Sequence, residues 1–111
     1  MPKTEHPKTR ILSVSYDELL LRMRHMILKN EGYAVVSTYG LKSSLKQCQK
    51  GGFDLFVLGH SIPHGDKRNM VEAFRQSCPG QVISLTRGAS EPFLDGADFH
   101  IEPDPERLQG L

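Results

Sequence analysis

The stretch Gly59-His-Ser-Ile-Pro-His-Gly-Asp-Lys67 puts two imidazoles, His60 and His64, close to the carboxylate of Asp66. Imidazoles four residues apart beside a carboxylate can hold Zn²⁺ or a similar cation when a helix sets them on one face. Pro63 and Gly65 favour a turn instead, in which these groups cap, hydrogen-bond or face water. Ser15, Ser61 and Thr86 are hydroxyls that an imidazole such as His60 could activate. No nucleophile-elbow motif accompanies them, so an enzyme is not expected. Cys48 and Cys78 are the only cysteines. They stand in no metal or redox spacing and read as small, reduced apolar residues, which suits a cytoplasmic protein.

The chain that must position these groups has 111 residues, the size of one domain. Apolar residues make up 38% and charged ones 24%, enough to close a core and too few charges for a disordered tail. The net charge of +1 is not gathered into a basic stripe, so nucleic-acid binding is not expected. No run of eighteen or more apolar residues occurs, and Met1 to Thr9 is a polar segment with two prolines and no apolar signal-like run. Residues 1–9 read as a flexible N-terminal segment and 10–111 as a single domain with no membrane span.

From Arg10 the pattern changes. Ile11, Leu12 and Val14 form a buried first strand that ends in Ser15, Tyr16 and Asp17. A helix starting at Tyr16 or Asp17 carries Leu20, Met23 and Ile27 on its apolar face, widened by Leu19 and Met26, and stops at Gly32. Met23, Met26 and Met70 are expected in core packing. Tyr33 to Thr38 is the second strand. Leu41 to Lys50 is the second helix, with Leu41, Leu45 and Cys48 inward and Lys42, Lys46 and Lys50 in solvent.

The third strand, Phe53 to Leu58, is nearly all apolar and should lie at the centre of a sheet covered on both faces. A loop from Gly59 to Asp66 leads to a helix from Lys67 to Ser77, with Met70, Val71 and Phe74 on one side. Val82, Ile83 and Leu85 form a fourth strand ending at Thr86. The stretch from Arg87 to Gly96 is too short and broken for a full helix. Ala97 to Ile101 is a short fifth strand, and Asp104 caps a last helix over Pro105 to Leu108. Strands alternating with helices imply a three-layer α/β sandwich around a five-stranded parallel sheet with right-handed crossovers, its fourth helix reduced.

The order and spacing of these fragments resemble the receiver domain of bacterial two-component response regulators. Arg10-Ile-Leu-Ser-Val-Ser-Tyr-Asp-Glu18 resembles the family's opening strand running into an acidic pair. Phe53-Asp-Leu-Phe-Val-Leu58 with Ile62-Pro63 resembles the third strand and its following loop. Val82-Ile-Ser-Leu-Thr86 and Gly96-Ala-Asp-Phe99 resemble the fourth strand and the entry to the fifth. The resemblance implies flavodoxin-like topology, with the site outside the carboxyl ends of the strands.

In that family an aspartate after the third strand attacks phosphorus and two acids after the first strand hold Mg²⁺. A hydroxyl after the fourth strand and a lysine after the fifth contact the phosphoryl oxygens. Carried over by position, Gly59 stands for the nucleophile, Ser15 and Tyr16 for the acidic pair, Thr86 for the hydroxyl and Glu102 for the lysine. Thr86 alone keeps the family's chemistry. The resemblance therefore implies a degenerate receiver, or pseudo-receiver, that signals by protein contact without phosphorylation and needs no cofactor.

The expected partner is a protein of a signalling pathway, with a second copy of the chain as a further candidate. The altered face around Phe93, Leu94, Phe99 and Ile101 is the candidate contact surface, because an exposed strand edge offers unpaired backbone groups. The alternative is a small-ligand or metal sensor built on His60, His64, Asp66 and Thr86.

Overall fold

The computed structural model describes residues 8–86 and 94–101. Residues 1–7 of the expected flexible segment, the last helix expected from the sequence, Phe93, Glu102 and most of the stretch where a fourth helix is expected to be reduced lie outside them. The elements run β1 (Arg10–Ser15), α1 (Glu18–Asn30), β2 (Ala34–Tyr39), α2 (Leu41–Lys50), β3 (Leu55–Leu58), α3 (His64–Ser77), β4 (Gln81–Leu85) and β5 (Phe99–Ile101). The five strands form one parallel sheet in the order β2-β1-β3-β4-β5, with β3 at its centre. This is the expected α/β receiver topology.

Local chemistry sets the boundaries. Asp17 caps α1 by accepting the Leu20 N–H at 3.1 Å, which leaves the acidic Glu18 in the first turn, where the helix dipole favours it. At the end of α2, Gly51 and Gly52 take φ of +72° and +85°, a conformation in which a side chain would be strained. α3 begins at His64, three residues before the start expected at Lys67. Pro63, at φ −59°, is the residue before its first turn, where a missing N–H costs nothing. The turn expected around Pro63 therefore closes sooner, and His64 and Asp66 are helical.

The strand register sorts the side chains into two faces. Leu12, Phe56 and Val82 share one row, and Val14 and Leu58 the next, all on the side covered by α2 and α3. There they meet Cys48, Met70, Val71, Phe74 and Leu94 in one core, with the Phe56 and Phe74 rings stacked at 4.8 Å between centroids. The opposite face carries Ile11, Ser13, Ser15 and Val57 and is covered by α1.

α1 departs from the sequence reading. Of its apolar residues only Leu21 is fully buried; Leu20 and Leu28 are half-buried, and Leu19, Met23, Met26 and Ile27 are exposed. Met70 is in the core as expected, but Met23 and Met26 are not.

At the far edge of the sheet Arg75 joins three segments. Its guanidinium donates to the carbonyls of Gly80 and Gly96 and pairs with Asp98 at 2.7 Å. Asp98 also accepts the Val82 N–H. That bond first, and Arg75 second, hold the Asp98 carboxyl below the usual carboxylate range.

Candidate functional site

In an open parallel sheet the carboxyl ends of the strands face a crevice, and Ser15, Tyr16, Gly59 and Thr86 lie at or just beyond those ends. Gly59 follows β3 directly, its N–H donating to the Val14 carbonyl at 2.9 Å. The space beside it is nearly full. A Cβ at this position would lie 3.1 Å from the Val14 oxygen and 3.3 Å from both Cβ and Oγ of Ser15. Thus Ser15 borders Gly59, as carried over by position.

Ser15 organises the turn into α1. Its hydroxyl accepts the Asp17 N–H at 2.9 Å, donates to the Asp17 carbonyl at 3.1 Å, and lies 3.2 Å from the Ser61 hydroxyl. Ser61 in turn accepts the Tyr16 N–H at 2.9 Å. These bonds tie the loop after β3 to the loop after β1 through two neutral hydroxyls.

Tyr16 reaches in the other direction and donates its hydroxyl to Asp66 at 2.9 Å. Burial first, then the bond to Asp66 and its charge, push the Tyr16 hydroxyl above its ordinary range, so it stays a neutral donor. The nearby carboxylates are therefore engaged: Asp66 with Tyr16, and Asp17 with the N-terminus of α1. The Cα of Thr86 follows β4 at the same end of the sheet, with the residue buried and its N–H bonded to the Ile101 carbonyl.

Among the described residues no group of three or more His, Cys, Asp or Glu is placed to hold a metal ion. His60 and His64 each bury an Nδ1 atom that finds no partner, and the Asp66 carboxylate turns to Tyr16. The metal-sensor reading gains no support from this arrangement. The candidate contact face is also altered: Leu94 is buried at 2% exposure, and its N–H donates to His100 Nε2 at 2.7 Å. Phe99 and Ile101, both 48% exposed, remain open on the edge strand.

One residue was missed in the sequence. Lys67 is fully buried, and its ammonium donates to the Ser84 hydroxyl at 3.0 Å and the Leu85 carbonyl at 2.8 Å. A positive charge thus arrives at the end of β4 from α3. The signal was present: with the helix begun at His64, Lys67 shares one face with Met70, Val71 and Phe74 at spacings of three and four.

No family model matches the sequence, and no curated protein matches it. Solved structures do. A CheY-like response regulator receiver domain protein from Methanospirillum hungatei JF-1 is 25% identical with a TM-score of 0.74, covering 94% of this chain and 90% of its own. The response regulator TrrA from Thermotoga maritima, solved with Mg²⁺-BeF, is 21% identical with a TM-score of 0.70, covering 92% and 97%. The receiver domain of Ssk1 from Saccharomyces cerevisiae, solved with the histidine phosphotransfer protein Ypd1, is 14% identical with a TM-score of 0.71, covering 96% and 87%. The fold is therefore that of receiver domains.

Proposed function

We propose that this receiver-fold domain serves a signalling pathway by contact with a protein partner, without accepting a phosphoryl group. The observation that carries the reading is Gly59. It offers no nucleophile at the end of the central strand, and Ser15 stands against it where even one added carbon is crowded. Mg²⁺ prefers carboxylate and water oxygens, while the first-strand positions present Ser15 and Tyr16, already engaged with Ser61 and Asp66. The fold keeps its shape without its reactive group, as expected when recognition by surface outlasts chemistry. The Ssk1 receiver, solved with Ypd1, is a structural neighbour that meets another signalling protein directly.

The test is incubation of the purified chain with Mg²⁺ and beryllofluoride or acetyl phosphate. The expected result is an unchanged intact mass and an unchanged melting temperature. A stoichiometric phosphoryl adduct, or a beryllofluoride-dependent rise in melting temperature, overturns the proposal.

A further inference from the structure

Among the described residues β2 is paired on one side only: it ends the strand order and bonds to β1 alone. Its free side can be assigned residue by residue. The Ala34 N–H donates to the Thr9 carbonyl, so Ala34 aims its backbone groups at β1. That direction alternates along a strand. Val36 and Thr38 therefore also face β1, and the N–H and C=O groups of Val35, Ser37 and Tyr39 point out of the sheet. The register with β1 runs unbroken over all six residues. Edge strands are commonly blunted by a lysine, a proline or a bulge, and Ala34-Val-Val-Ser-Thr-Tyr39 has none of these.

α1 supplies the flank of this edge. Glu18, Arg22, His25 and Lys29 recur at i, i+4, i+7 and i+11 and share one face of the helix. His25 ties that face to β2 through a 2.7 Å bond to the Ser37 hydroxyl. A cavity of about 280 Å³ lies between the two elements, lined by Glu18, Leu21, Arg22, His25, Ser37 and Tyr39. Ser37 and Tyr39 are also two of the three residues with outward backbone groups, so the cavity adjoins the free edge. Alternate side chains of a strand added there would enter it. Arg22 and Lys29 are exposed and outnumber the one acid on this face, Glu18.

We infer that the free edge of β2 takes an extended segment of a partner protein as a sixth strand, with acidic side chains at the alternate positions that face α1. The inference rests on the contact reading above and names a surface and the partner's chemistry. Main-chain bonds to Val35, Ser37 and Tyr39 supply affinity, and acids beside Arg22 and Lys29 set register and orientation. A second copy of this chain fits worse. An antiparallel self-pair of two β2 edges puts both α1 helices on the same face of the joined sheet, so that the Arg22 and Lys29 faces meet and repel.

The probe is a short synthetic peptide alternating valine with glutamate. Its controls are the valine–lysine peptide and the glutamate peptide N-methylated at every amide, which cannot donate to a strand edge. Amide hydrogen exchange of the full chain is followed by NMR. At saturation the acidic peptide should slow exchange at Val35, Ser37 and Tyr39 by about tenfold or more, and leave Val36 and Thr38, already bonded to β1, nearly unchanged. Neither control peptide should do so. Arg22→Glu, at an exposed position, should keep the melting temperature while weakening binding by about tenfold. Equal binding of either control, protection centred on Phe99 to Ile101, or no saturable binding overturns the inference. So does a dimer of the chain alone in sedimentation with the same three amides protected. A phosphoryl adduct would overturn the proposed function and leave this titration untouched, whereas failed titration without an adduct removes only this surface.

Discussion

The two faces of the sheet are built from the same strands but to different standards. On the α2 and α3 side, Leu12, Val14, Phe56, Leu58 and Val82 are all buried against Cys48, Met70 and Phe74. On the α1 side β1 presents Ile11, Ser13 and Ser15, and the Ser13 hydroxyl is buried with no partner. α3 spends its large apolar residues inward; α1 leaves four of its own to solvent. Apolar burial drives folding, so stability should come mainly from the first face.

The sharpest break of this contrast is Phe74→Ala. It opens a cavity beside Phe56 and should cost about 3–5 kcal/mol in urea unfolding, while Met26→Ala on α1 should stay within about 0.5 kcal/mol. Similar losses at both sites would show that α1 is as important to the core as α3. Next in size is Lys67→Met, which keeps the packed stem but removes the bonds to Ser84 and Leu85. It should cost about 1–3 kcal/mol, because the Leu85 carbonyl is left unsatisfied. Faster amide exchange at the end of β4 should accompany it. The smallest effect has the opposite sign. Ser13→Ala should raise the urea midpoint slightly, by no more than about 1 kcal/mol, since it deletes a buried hydroxyl that bonds to nothing.

The sequence patterns differ in how openly they show these faces. α2 has the bounds its pattern implies, because Leu41, Leu45 and Cys48 are its only strong apolar positions and two glycines end it. β3 was legible for the same reason: an apolar run between Gly51-Gly52 and Gly59 fits little but a central strand. In α1, leucine, methionine and isoleucine surround most of the helix, so periodicity alone does not say which edge turns inward. The buried edge is Leu21 with Leu28 two turns on, and Arg24 and His25 lie near it.

The site divides likewise. The proximity of Ser15 to Gly59 followed from strand order and spacing. The bond from Tyr16 to Asp66 did not, because it joins residues fifty positions apart through side-chain reach alone. Lys67 is hard to read from sequence because lysine is rarely buried. Residue type alone offers His60 and His64 as metal ligands; the fold instead starts α3 at His64 and turns Asp66 toward Tyr16.

The hydroxyl of Ser15 limits which acids the crevice can accept. An aspartate introduced at position 59 meets Ser15 at once, while an aspartate at 15 removes the hydroxyl that fastens the turn into α1. Drafting Asp17 as a replacement acid would uncap that helix. Each single change toward an acidic crevice therefore disturbs a contact that the present residues make.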